Sequence, residues 1–480
     1  MTIGFQAAAR LASRRIGRAA ARWRAGVRGS LLGIALCAAA ARGLRAEGLA
    51  VSPPMGWNSW DAYGFTIDEA DFKANATVLA QFRDHGWRYA VIDEGWYMRD
   101  PSGGNLESRH YQLDDSGRLV PSVNRFPSAA GGAGLRPLAD WTHAQGLKLG
   151  IHILRGIPRA AVRANARIAG STFRAADAAD ETDTCPWDEG NYGVRDNAAG
   201  QAYYDSIFRL YASWGIDFVK VDCIAAHPYR PTEIRQIATA IRRAGRPLVL
   251  SLSPGPTAIA HATEVARYAQ LWRISNDVWD GWTFEHTAAS GDFPNGIRDA
   301  FDHLADWAGH ARPGQWPDAD MLPWGVLAPH PGWGEPRATR LSAAEQQTQF
   351  VLWAIARSPL ILGCNLTRLD ELTRSLVTNR ALIDLDQGAW HSHPVTGLPP
   401  GHDNLRAWIA TPSRAHRGEA VLAIFNVGAE PVSVQMPWSA LGVQAPPRSV
   451  ADLMTGAPVA SAATVDVQLP AHASVVYRLD

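Results

Sequence analysis

The sequence predicts an α/β fold: a (β/α)8 TIM barrel over residues 47–390, followed by a C-terminal antiparallel β-sandwich domain over residues 391–480. Two patterns carry this. Up to about Gln387, short apolar runs alternate with longer amphipathic ones, and strands alternating with helices imply a parallel sheet that eight units can close into a barrel. Beyond Trp390 the runs are short and alternating, split by Gly and Pro, with no long helical pattern. An open doubly wound sheet is the alternative, but no Gly-x-Gly-x-x-Gly follows the first strand, which weakens a dinucleotide reading.

In chain order the strand candidates are 51–60, 89–93, 147–153, 218–222, 248–252, 271–273, a weak run at 315–316, and 360–362. Helical patterns lie between them at 69–85, 138–145, 201–214, 232–244, 297–308 and 343–357. A long stretch from Arg155 to Asn197, rich in Ala, Arg, Asp and Thr, interrupts the third unit, and insertions of that length commonly shape a substrate mouth. The sandwich strands are expected at 405–409, 420–426, 432–435, 465–469 and 474–479. That domain shows no acid or nucleophile pattern, so it is expected to cover one side of the barrel.

Residues 1–46 read as a leader. Arg14, Arg15, Arg18, Arg22, Arg24 and Arg28 precede an apolar run from Leu31 to Ala41, the order of a signal peptide. The run is too short to span a bilayer, so export to the periplasm or outside is expected, with no stable membrane anchor. Ser13-Arg14-Arg15 weakly resembles a twin-arginine signal. Cleavage sites lie around Ala38 to Ala41 or at Ala46, and Leu36 ahead of Cys37 argues against a lipid anchor. The leader holds nine of the 46 Lys and Arg and none of the 46 Asp and Glu, so the rest carries a formal charge of −9. Nothing basic remains to favour nucleic acid. Of the remaining cysteines, Cys185, Cys223 and Cys364, one disulfide can form, and Cys185 can reach Cys223 if the insertion folds back. Neither His-Glu-x-x-His nor paired Cys-x-x-Cys occurs, so no metal or other cofactor is expected. The oligomeric state stays open.

Chemistry is expected where barrel strands end. The second strand ends in Asp93-Glu94-Gly95-Trp96, the third in His152 with Arg155 beyond, the fourth in Lys220 and Asp222, and the sixth in Arg273 and Asp277. Lys220 and Asp222 are two apart on a strand and share a face. Any one of these groups suits a satisfied core ion pair, but together they suit glycosidic bond cleavage, in which one carboxylate attacks carbon and a second delivers a proton. Asp222, with Lys220 beside it and Arg273 expected near, should stay ionised and act as nucleophile. Asp277, near Trp272, Trp279 and Trp282, should act as the acid, its pKa raised by aromatic surroundings. Direct attack needs carboxyls about 5 to 5.5 Å apart, and inversion needs about 6.5 to 9.5 Å. The 19 tryptophans suit both cores and the apolar faces of sugars.

Pro54-Met55-Gly56-Trp57-Asn58-Ser59-Trp60, the run from Tyr89 to Trp96, Lys220-Val221-Asp222, Trp272-Arg273 with Asp277, and Trp316-Pro317-Asp318-Ala319-Asp320-Met321-Leu322 occur in the order of the signatures of glycoside hydrolase family 27. The chain resembles this α-galactosidase and α-N-acetylgalactosaminidase family over nearly the whole barrel. The resemblance implies a carbohydrate substrate and a retaining mechanism with Asp222 as nucleophile and Asp277 as acid/base, releasing terminal α-D-galactosyl residues as the first reading, with β-L-arabinopyranoside hydrolysis as the alternative and α-N-acetylgalactosaminide hydrolysis behind it. It implies that Asp93 and Glu94 bind the 4- and 6-hydroxyls, Lys220 the 3- and 4-hydroxyls and Arg273 the 2-hydroxyl, with Trp60 in the pocket wall. Three positions depart from the family pattern. Glu94 replaces a second aspartate, and its extra methylene advances the carboxyl by roughly 1.5 Å, which would favour β-L-arabinopyranose, a galactose lacking carbon 6. His152 replaces a tyrosine. Ser251-Leu252-Ser253-Pro254-Gly255 replaces a Cys-Glu-Trp pattern, and small Ser253 leaves room at the 2-position, as in N-acetyl-specific members. A non-catalytic carbohydrate-binding barrel is the rival from another class. A phosphate-binding barrel is weaker, since no Gly-rich loop follows the seventh or eighth strand.

Overall fold

The computed structural model describes residues 48–102, 109–288, 290–328, 335–413, 419–460 and 463–480, and residues 50–480 form one compact unit. The expected leader over residues 1–46 lies outside the described residues. Eight parallel strands build the barrel: β1 Met55–Asn58, β2 Tyr89–Ile92, β3 Lys148–Leu154, β4 Phe218–Asp222, β5 Val249–Leu252, β6 Leu271–Arg273, β7 Trp316–Asp318 and β8 Leu360–Leu362. They run in the order β7-β6-β5-β4-β3-β2-β1-β8, each paired with its sequence neighbour except where the ladder returns from β1 to β8. The ring closes just beyond β7 through one parallel bridge between Leu322 and Leu362. Leu322 N–H donates to Ile361 O at 2.8 Å there, and Gly363 N–H donates to Leu322 O at 3.1 Å.

All eight expected strands are present; those at 55–58, 89–92 and 249–252 are shorter than their sequence patterns, and the weak run at 315–316 becomes a strand over 316–318. The longer helices are α1 Glu69–Leu79, α2 Arg136–Ala144, α3 Ala198–Trp214, α4 Pro231–Ala244, α5 Ala262–Tyr268, α6 Ile297–Trp307, α7 Ala343–Ala356, α8 Glu371–Val377 and α9 Arg380–Gly388. Side-chain caps start several of them: Asn197 accepts from Gly200 N–H at 2.7 Å and Asp370 from Thr373 N–H at 2.7 Å. The insertion after β3 holds a three-stranded antiparallel sheet of Ile157–Pro158, Ala179–Thr184 and Asn191–Val194. Its strand Ala-Asp-Glu-Thr-Asp-Thr has no apolar alternation, so nothing in the sequence marks it as β.

The sandwich comprises β9 Trp390–Pro394, β10 Leu405–Thr411, β11 Ala420–Asn426, β12 Val432–Pro437, β13 Val450–Asp452, β14 Pro458–Val459, β15 Thr464–Leu469 and β16 Ser474–Leu479. Its larger sheet runs β9-β10-β11-β16-β13-β14, and β12 pairs with β15 in the smaller one. Successive strand residues face opposite ways. On β11, Val421, Ala423 and Phe425 join the core shared with the barrel, while Leu422 and Ile424 join the core inside the sandwich. The sheet is buried on both faces, which is why β11 reads as a continuous apolar run. Phe425 meets Phe301 of α6 edge to face at 5.1 Å between ring centres. Phe425→Ala is expected to cost about 3–5 kcal/mol, measured as a lower urea midpoint with the unfolding slope retained.

Candidate active site

One cavity of about 1090 Å³ opens at the C-terminal ends of the barrel strands. It is lined by Trp60, Asp93, Glu94, Lys220, Asp222, Ser253, Arg273 and Asp277, eight of the nine site residues expected from sequence. The two carboxyls separated by 55 positions therefore face one hollow.

Asp93 follows β2 and is held on every side. Its N–H donates to Ser59 Oγ at 2.9 Å, Asn58 Nδ2 donates to its Oδ2 at 2.6 Å, and the Glu94 N–H donates to its Oδ1 at 2.8 Å. Lys220 Nζ ion-pairs with the same Oδ2 at 2.9 Å. Burial works against the charge, but Lys220, His152 and these donors hold the Asp93 pKa down at about 2. Lys220 is the counterpart: burial disfavours its charge, and Asp93, Asp222 and Asp277 more than restore it. Asp222 ends β4. Burial again opposes ionisation, and a hydrogen bond and charge from His152, then Lys220 and the Cys223 N–H, bring it below the ordinary carboxylate value. The expected ionised state of Asp222 is thus favoured, though Arg273 is not a neighbour that provides it.

Three expectations need correction. His152 is absent from the cavity lining. It pairs in register with Lys220, one level deeper than the strand end, so its Nε2 lies 3.4 Å from Asp222 Oδ2 on the side away from the pocket. Arg155 is buried outside the pocket, where it binds Glu233 at 2.7 Å and Asp183 at 2.8 Å. The aromatic surroundings expected for Asp277 are mostly elsewhere. Arg273 faces into the barrel, so its neighbour Trp272 faces out and packs on Trp307, and Trp282 stacks on His472. Only Trp279 of the three lines the cavity, and the Asp277 side chain is 37% exposed. Arg273 binds Asp277 at 3.2 Å and Asp320 at 2.8 Å.

Other lining groups had no role assigned from sequence. Asp61, one residue past the Trp60 motif, is buried, and burial followed by the charge of Asp320 raises its pKa well above the ordinary value. Gly363 leaves it space, since a Cβ there would lie 1.8 Å from Asp61 Oδ2. Asp320, inside the Trp316–Leu322 motif, is pushed up to about 7 by burial against the pull of Arg273. For Asp320 the available signal was its place inside a quoted motif, and for Asp61 its place directly after one. Pro186, Trp187 and Asp188 reach the cavity from the insertion, and Cys185 is bridged to Cys223, with Cα atoms 6.0 Å apart. Both Trp187, 48% exposed, and Phe293 stand at the rim.

Comparison with known proteins fits this geometry. The sequence profile of the family described as alpha galactosidase A matches residues 52–162 and 187–388, and that of the alpha galactosidase C-terminal beta sandwich domain matches 402–479. The chain belongs to glycoside hydrolase family 27. It is a glycosidase of the α-galactosidase type, which sets aside the non-catalytic binding barrel. It is 29% identical over 369 residues to alpha-galactosidase A of Cellvibrio japonicus, covering 74% of each chain. It is 27% identical over 359 residues to an alpha-N-acetylgalactosaminidase of Gallus gallus, covering 71% of each. The crystal structure of a β-L-arabinopyranosidase of this family from Geobacillus stearothermophilus superposes with a TM-score of 0.82 at 39% identity, covering 90% of this chain and 97% of that one.

The Asp93 value has a consequence for stability. It lies below the unfolded value of about 3.9, so Asp93 contributes stability above about pH 4 that is lost as pH falls toward 2, of the order of 2–3 kcal/mol. In urea unfolding, the gap between wild type and Asp93→Asn should narrow steadily through that window.

Proposed function

We propose that the enzyme is an exported retaining glycosidase acting on galacto-configured pyranosides, with β-L-arabinopyranosides preferred over α-D-galactosides. The observation that carries the sugar preference is Glu94, buried in the cavity wall next to Asp93, where one methylene more than aspartate would take space that carbon 6 of galactose needs. The 39% identity to a β-L-arabinopyranosidase supports the same choice. α-D-Galactoside hydrolysis is the second reading, favoured by the galactosidases among the relatives. The buried Ser253 in the lining motivates an N-acetylgalactosaminide as a third substrate to test.

In this reading the ionised Asp222 attacks the anomeric carbon while Asp277 gives its proton to the departing oxygen. A glycosyl ester forms on Asp222 as the glycosidic bond breaks. Asp277, now a carboxylate beside Arg273, takes a proton from water, the resulting hydroxide equivalent attacks the anomeric carbon, and Asp222 leaves. Asp277 suits the acid role because it is the more exposed carboxyl, reachable by a leaving group and by water. Lys220 and Arg273 line the same cavity and supply fixed positive charge to it. The Cys185–Cys223 bridge favours an oxidising compartment, in line with the expected leader.

Asp222→Ala should lower kcat by at least about 10⁴-fold while sugar binding, followed by calorimetry, persists, and unchanged turnover would refute the assignment. Glu94→Asp should shift the kcat/KM ratio toward aryl α-D-galactoside over β-L-arabinopyranoside by about tenfold or more. An unmoved ratio removes Glu94 as the discriminator.

A further inference from the structure

Glu94 does not stand alone in its wall. Asp188, carried by the insertion just past the disulfide at Cys185, lines the same cavity, is equally buried and is hydrogen-bonded to the Glu94 carboxyl. Asp188 is itself fixed: its Oδ2 accepts from the Tyr111 hydroxyl at 3.1 Å and its Oδ1 from the Gly190 N–H at 2.7 Å. Tyr97, whose ring meets Tyr111 edge to face at 4.8 Å, donates to Glu94 Oε1 at 3.4 Å. No space remains behind Asp188, since a Cβ on Gly190 would lie 2.9 Å from both its Oδ1 and the Tyr111 hydroxyl.

We propose that Asp188 is the positioning residue that sets sugar preference, bridging to Glu94 through one shared proton and so fixing how far the Glu94 carboxyl projects toward carbon 5 of the glycone. The proposal rests on the reading of Glu94 given above and adds the element that holds it. Two ionised carboxylates in hydrogen-bond contact repel, so the bridge exists only with a proton between them. Glu94 carries it, because burial and then the charges of Asp188 and Asp222 push its pKa well above the ordinary value. The groups facing the bridge are Asp93 and Asp222 from the strand ends, Tyr97 and Tyr111 from the segment after β2, and Arg109 beside Tyr111. None of the first four can neutralise a second negative charge. When the proton leaves, the carboxyls must part and the wall loses its shape, so affinity for the sugar falls on the alkaline side.

The test measures calorimetric affinity for L-arabinose and D-galactose against pH in an Asp277→Asn background, which removes titration of the acid/base. Asp188→Ala frees Glu94 and should lower the arabinose-to-galactose affinity ratio at least about fivefold. Asp188→Asn can donate its amide N–H to an ionised Glu94, so it should keep the arabinose preference while flattening the alkaline loss of affinity. A ratio within about twofold of the Asp188 parent for Asp188→Ala overturns the proposal. An unchanged pH dependence in Asp188→Asn also overturns it, and this arm decides the matter if Asp188→Ala does not fold. If the Asp277→Asn parent binds neither sugar, the functional reading fails and the proposal with it, whereas binding with unmoved ratios removes only the role of Asp188.

Discussion

The ion pair of Lys220 with Asp93 spans the strand that lies between them, and His152 on that middle strand meets Asp222 from below. Charges buried this deeply would neutralise if left alone, since a carboxylate moved out of water shifts its pKa rather than stay ionised. The pocket avoids this selectively. Asp93 and Asp222, beside Lys220 and His152, stay charged; Glu94, surrounded by other acids, does not. Asp61 is a third case, where burial and Asp320 outweigh the pull of Lys220. Eight acids line one hollow with three cations, Arg109, Lys220 and Arg273, among them, and closeness to Lys220 is what sets Asp93 and Asp222 apart from Glu94.

The barrel was legible because each strand is a short apolar run that must be buried on both faces, and because the acids follow directly on those runs. The strand ends at Asp93, Asp222 and Arg273 could be read from the point where Tyr89–Ile92, Phe218–Asp222 and Leu271–Arg273 stop. What was not legible was depth and direction. His152 and Asp222 both lie near strand ends, yet β3 continues to Leu154, which pairs with Asp222, so His152 falls a level lower. Trp272 was placed near Asp277 by proximity in sequence, although strand alternation sends it outward to Trp307. Asp188 gave no sign of its role, because its partner Glu94 lies 94 positions away and the insertion carries no periodicity that would fold it back over the barrel.

The turn after β4 ties several of these parts together. Cys223 adopts a left-handed backbone, φ 60°, immediately after Asp222, and its N–H donates to Asp222 Oδ1 at 2.7 Å. A residue with a side chain is uncommon in that conformation and is held there by its surroundings. Here the side chain is bonded to Cys185, next to Pro186, Trp187 and Asp188 of the cavity wall. Backbone geometry next to the Asp222 carboxylate and the position of the insertion are thus set at the same residue.

Helix α7 is buried continuously from Thr348 to Ala356, with no polar face along that stretch turned to water. A surface helix of a barrel shows one apolar stripe, and a helix apolar all round is an interior helix. It is interior because the sandwich lies on it: Thr348 Oγ1 donates to His472 O at 2.8 Å, and His472 Nδ1 meets Glu345 at 2.7 Å. α7 leads directly into β8, the strand joined to its far neighbour by the single bridge at Leu322. The terminal domain therefore serves as a buttress at the thinnest seam of the ring, and within the compact unit of residues 50–480 the barrel has no finished outer surface of its own on that side.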